Sequence, residues 1–156
     1  MMSRVQKGMV AGVAATVAAS LLEIPNMFLN WFDPLQGVIA TMIGMPGNLA
    51  VGWAIHVVSG IFILGPLFGV LCPRLPTDTP ETKGIVFAVG AWVVMMGAIL
   101  TFGDYRTFTA AAGFGTFGWL LITHAVFGIV LGNVYARLVA REKRRPTHVM
   151  GGATAH

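Results

Sequence analysis

Charge is what this chain has least of. Only 10% of its 156 residues are charged, against 56% hydrophobic, and the mean hydropathy is +0.77. A soluble domain carries about a quarter charged residues, so that class is excluded. Cysteine is nearly absent too. Cys72 stands alone, which rules out a disulfide within the chain and leaves no thiolate cluster for zinc or iron–sulfur. There is no Ser/His/Asp set, no glycine-rich phosphate loop with lysine, no Glu/His ligand pair at helical spacing and no polar stripe along any apolar run. The segments outside those runs are too short to hold a catalytic domain. An independent enzyme is therefore not expected, and a transporter would need more polar groups.

What is present is hydrophobic length. A transmembrane helix needs about 20 mostly apolar residues. Four segments qualify, Gly8 to Phe28, Leu49 to Leu71, Gly84 to Phe102 and Phe117 to Leu138. The expected class is an all-α membrane protein of four transmembrane helices. Residues 1–7 form a cytoplasmic tail, 8–140 the bundle and 141–156 a basic cytoplasmic tail. Nine of the ten basic residues flank one side of these spans, with Arg106 alone on the other. The positive-inside rule then places both termini and the 73–83 loop in the cytoplasm, and the compartment read from this is a prokaryotic cytoplasmic membrane. The basic tail reads as a topology signal in contact with anionic lipid, not as a nucleic-acid binder. Arg4, Lys7, the apolar run and Ala18-Ala19-Ser20 also fit a signal peptide, whose cleavage would leave three spans. The internal repeat described next favours four.

Two copies of a helical hairpin are visible. Lys7-Gly8 opens the first span and Lys83-Gly84 the third; His56-x3-Gly60-Ile61 lies in the second and His124-x3-Gly128-Ile129 in the fourth. Two tandem hairpins pointing the same way are related by an axis along the membrane normal. His56 and His124 then lie at similar depth, roughly 10 Å from the ends of their helices at 1.5 Å per residue. Histidine inside a membrane helix is expensive and draws a functional reading. The bland reading is that each histidine hydrogen-bonds across the bundle, with no cofactor. The sharper one is axial ligation of a single haem b by His56 and His124, with Gly60 and Gly128 making room for the porphyrin. Proton or quinone chemistry is a third.

Glu23 lies in Leu21-Leu22-Glu23-Ile24-Pro25, beside a proline that frees the carbonyl of Leu21. It is the candidate for a proton or ion site, and a pairing with either histidine would be its functional form. Its bland reading is a charge at headgroup level. Gly8, Gly12, Ala15, Ala19 and Gly132 lie on small-residue lines that read as packing surfaces, within the bundle or against another protein. Residues 29–48, with Trp31, Phe32 and Asp33 ahead of a short apolar stretch, suggest a short outer interfacial helix. Asp104 and Arg106 read as a solvated pair.

The Lys-Gly openings, the His-x3-Gly-Ile phrases and the closing Tyr135-Ala136-Arg137-Leu138 resemble an uncharacterised family of small four-helix prokaryotic membrane proteins, over residues 7 to 140. Pro66 and the long outer connection depart from a clean pattern. The resemblance implies a four-span bundle and no established activity. Its members look similar to the small subunits that accompany respiratory oxidases and related complexes. The expectation is a non-catalytic accessory subunit, partnered by other integral membrane subunits and the lipid bilayer. A haem-holding redox protein and a small ion-conducting homo-oligomer are the alternatives.

Overall fold

In the computed structural model residues 1–102 and 114–144 are described. Among them every regular element is helical. Helix α1 spans Arg4–Leu29, α2 Leu35–Met42, α3 Leu49–Val58, α4 Gly65–Leu71, α5 Pro80–Phe102 and α6 Phe114–Lys143. A π-helical turn, Ser59–Leu64, joins α3 to α4, and a 3₁₀ turn, Cys72–Arg74, ends that run. Four helices are long and apolar enough to cross a membrane: α1, the continuous Leu49–Arg74, α5 and α6. This is the architecture of a multi-pass membrane protein. Asp104 and Arg106 lie outside the described residues.

Helix α1 starts four residues before the apolar run because Ser3 caps it. The Ser3 hydroxyl accepts from Gln6 N–H while the Gln6 side chain accepts from Ser3 N–H, the reciprocal capping box. The helix then continues through Pro25 to Asn30, which closes it in the left-handed conformation at φ 49°. At the far end of the chain, α6 runs to Lys143, beyond the expected bundle limit. The Lys7 ammonium meets the Glu142 carboxylate at 2.5 Å, so the end of α6 is fastened to the start of α1.

Glycine decides how the helices pair. The main packings are α1 with the Leu49–Arg74 span, α1 with α6, and α6 with α5. At the first of these, a Cβ on Gly8 would fall on the Gly65 carbonyl, and one on Gly65 would fall on the Gly8 carbonyl. Gly12 meets the backbone of Gly60 and Gly65 in the same way. Between α5 and α6, Gly84 and Gly128 each face the other's carbonyl, and Gly132 faces that of Pro80. The small-residue lines therefore face inward: Ala11, Ala15 and Ala19 are buried in the core with Phe68, Phe87, Phe127 and Tyr135.

Gly60 and Gly65 are five residues apart, which an α-helix would put on different faces. The π turn corrects this, with Gly65 N–H donating to the Gly60 carbonyl five residues back. Pro66, which has no N–H to give, follows directly. The one-position displacement around Pro66 is thereby absorbed, and both glycines face α1.

Helix α2 is folded against the bundle. Leu35, Gln36, Val38 and Ala40 are buried, and Leu35 and Val38 form a second core with Met96, Ile99 and Leu120. Its backbone rests on α3 where Gly52 leaves no side chain, since a Cβ there would strike the Gln36 carbonyl. The short helix is thus a packed layer over one end of the bundle.

Gly84→Ala should overpack the α5–α6 crossing and destabilise the protein by about 1–3 kcal/mol. Gly90→Ala, where a Cβ meets nothing within 4 Å, should be neutral or stabilising. Thermal unfolding in mild detergent, followed by circular dichroism, separates the two; equal midpoints would contradict the packing described.

Candidate functional site

Because the Leu49–Arg74 span and α5 each pack on the central pair α1 and α6, a space remains between them. It is a partly open cavity of about 340 Å³, within the low range for small-molecule sites. His56, Ser59, Gly60 and Ile63 come from one side, Ala91, Val94 and Met95 from α5, and Thr123, His124 and Phe127 from α6. Ala19 of α1 lies at the back, and Leu35, Ile39, Met42 and Ile43 of the α2 region close one end. Ile43, Ile63 and Val94 are exposed as well as lining, so the rim is apolar. The two repeated histidines therefore share one chamber. Of the glycines, Gly60 lines it, whereas Gly128 is turned to the Gly84 carbonyl and the Ala88 methyl.

Hydrogen bonding fixes what each ring offers. His124 Nδ1 lies 2.7 Å from the Leu120 carbonyl, which can only accept, so Nδ1 carries the hydrogen and Nε2 presents its lone pair. His56 Nε2 lies 3.3 Å from Ser20 Oγ. That hydroxyl is itself 2.8 Å from the Thr16 carbonyl. With the single hydroxyl hydrogen assigned to the shorter contact, Ser20 accepts from His56 Nε2–H, and His56 Nδ1 keeps its lone pair. The Trp53 ring meets His56 edge-on at 5.7 Å between centroids and holds its orientation. Among the described residues no carboxylate lines the cavity.

A second polar cluster lies at the end of the bundle that α2 covers. Glu23 and Asn26 are fully buried, not held at a hydrated surface. Trp119 Nε1–H donates to Glu23 Oε1 at 2.9 Å, and Asn26 Nδ2 lies 3.4 Å from Oε2. Asn26 also exchanges two hydrogen bonds with the Phe32 backbone, at 3.0 and 3.1 Å, and Phe32 stacks on Trp119 at 5.5 Å. Asp33 N–H reaches Thr116 Oγ1 at 3.3 Å. Glu23 thus knots α1, the α1–α2 turn and α6 together. It makes no hydrogen bond to either histidine. Neighbouring Gln36 is buried with neither amide atom partnered.

Two features of this site went unseen in the sequence. Trp119 is 96 positions from Glu23, and no local spacing announces their pairing. Ser20 stands out in the sequence only as part of the Ala18-Ala19-Ser20 stretch. A signal was available for it: Thr16 and Ser20, four apart, put two hydroxyls on one face of an apolar helix.

Residues 2–146 match the model of a family of unknown function, DUF6789. The chain belongs to that family. Neither the curated proteins nor the solved structures contain a match. Membership in DUF6789 covers nearly the whole chain and carries no activity with it, so function has to be argued from the cavity.

Trp119→Phe keeps a ring on Phe32 but removes one donor from the buried Glu23 carboxylate. The expected cost is about 1–3 kcal/mol, read as a lowered unfolding midpoint in detergent. An unchanged midpoint would mean that the Glu23 network does not hold this end of the bundle.

Proposed function

We propose that the protein is a non-catalytic membrane subunit that holds a lipophilic molecule drawn from the bilayer. The observation that carries this is the half-open apolar cavity lined by two histidines, each with one ring nitrogen bonded to the protein and the other left without a protein partner. Its rim residues, Ile43, Ile63 and Val94, are exposed and hydrophobic, as suits an entrance facing hydrocarbon. The setting is a prokaryotic cytoplasmic membrane with both termini inside, by the distribution of Lys and Arg. Within it the chain serves as an accessory component of a larger complex, one that handles electrons in a respiratory chain. The paired backbone contacts, Gly8 with Gly65 and Gly84 with Gly128, support reading the bundle as two tandem hairpins. That arrangement gives each half one histidine to turn toward a shared centre.

Haem b is the second reading, and one observation favours it. His124 has Nδ1 tied to a backbone carbonyl and Nε2 open, the arrangement that orients ligating imidazoles. His56 fits less well, because ligation through Nε2 would break its bond to Ser20. An ion-conducting role for Glu23 would require the carboxylate to leave both Trp119 and Asn26.

Native mass spectrometry of protein released from its own membranes should find one small lipophilic molecule per chain, absent from a folded Ala91→Phe variant whose added ring fills the cavity. A bare wild-type chain would contradict the binding role. Co-migration with electron-transfer subunits on a native gel is expected, and migration alone would contradict the accessory role. Protein from haem-replete cells should show no Soret band; a band lost on His124→Ala would put the haem reading in place of the first.

A further inference from the structure

The binding reading leaves open what kind of molecule the cavity takes, and the direction of its hydrogen bonds narrows the choice. Three of the side-chain hydroxyls in or behind the wall give their hydrogens to carbonyls of their own helices, while a fourth, Thr16 Oγ1, is buried behind Gly60 without a partner and is shut off from the space. Ser20 donates to Thr16 O at 2.8 Å, Thr123 to Leu120 O at 3.0 Å, and Ser59 to Ile55 O. The imidazole hydrogens are used as well, His124 Nδ1–H on Leu120 O and His56 Nε2–H on Ser20 Oγ. The described residues of the wall are apolar and include no carboxylate, which favours neutral rings, because an unpaired charge there would be costly. Among the described lining residues, what is left over is lone pairs: those of His56 Nδ1, His124 Nε2, and the oxygens of Ser59 and Thr123. Neither ring nitrogen is sealed away from free volume.

From this pattern, and resting on the binding role above, we infer that the cavity selects a lipophilic hydrogen-bond donor of the hydroquinone type, its hydroxyls donating to His56 Nδ1 and His124 Nε2. A quinone carries two carbonyl acceptors where the quinol carries two hydroxyl donors. In this cavity those carbonyls would face lone pairs, so the oxidised molecule is discriminated against although its shape is nearly the same. An acceptor buried without a donor loses its bonds to water and gains none. The site therefore reads the redox state of a membrane carrier through the hydrogen bonds it can make, and no electron need pass through the protein for it to do so. A chain of this kind would retain the reduced carrier and release the oxidised one.

The test uses the full chain in mild detergent under argon, titrated with three probes. They are a decyl-substituted benzoquinol, the corresponding benzoquinone, and the dimethyl ether of the quinol, which keeps the ring but has no donor. Binding is read by calorimetry. The quinol should bind roughly tenfold or more tightly than either of the others, the scale of one to two net hydrogen bonds. His124→Phe should shrink that preference to within about threefold, weakening the quinol and relieving the penalty on the quinone, so that the quinone binds no more weakly than to wild type, a pattern that a merely misfolded variant does not give. Equal binding of all three probes overturns the donor rule and leaves the binding role standing. Binding of none, by protein that carries a native lipophilic molecule, overturns the hydroquinone assignment alone. Binding of none by protein that carries no such molecule overturns both.

Discussion

At Gly84 and Gly128, and again at Gly8 and Gly65, each helix turns a carbonyl oxygen into the space where its partner's Cβ would stand. Lipid gives helices little hydrophobic reason to associate, so close backbone approach and the dispersion it brings are what hold such pairs. These contacts draw the Leu49–Arg74 span onto α1 and α5 onto α6, while α1 and α6 pack together at the centre. The two outlying spans are then held apart across the middle. Phe68 and Phe87 bridge between them, at 5.3 Å between ring centroids, and Tyr135 donates to the Gly69 carbonyl beside them. Helix α2 covers the other end. The cavity is the volume that this pairing leaves.

Its chemistry follows from the same economy of polar groups. Hydroxyls in an apolar helix satisfy themselves on the carbonyl one turn back, as Ser20, Ser59 and Thr41 do. Local bonding of this kind consumes hydrogens and leaves oxygens. Imidazoles placed among such hydroxyls lose their hydrogens to carbonyls and hydroxyl oxygens too. A space surrounded by self-satisfied helices is therefore an accepting one. The Glu23 network is its opposite, two side-chain donors converging on a buried carboxylate. One cluster fastens helices together and the other borders open space, though both hold ionisable groups within apolar spans.

The four spans were legible in the sequence because hydrophobic length is a property of a segment by itself. So was the interest of His56 and His124, which depends on a repeated phrase. What could not be read was rotation about each helix axis, since that is set by packing which hydropathy does not register. Glu23 shows the consequence. Its position near a span end suggests contact with headgroups, yet rotation of α1 toward α6 places it under Trp119, wholly buried. The small-residue lines were legible as packing surfaces, but not which helix they would meet. Gly60 and Gly65 seemed out of register until the π turn brought them to one face. The Lys7–Glu142 pair joins residues that the sequence offered only as topology charge and tail.

The two rings are the centre of this account, and nitrogen chemical shifts report their hydrogens without disturbing the cavity. Protein carrying ¹⁵N-labelled histidine, reconstituted in lipid and assigned with His56→Phe and His124→Phe variants, would be measured by NMR at neutral pH. The account predicts two neutral rings in opposite tautomers, His56 protonated at Nε2 and His124 at Nδ1. Matching tautomers, or a doubly protonated ring at either position, would put a donor into the cavity and contradict it.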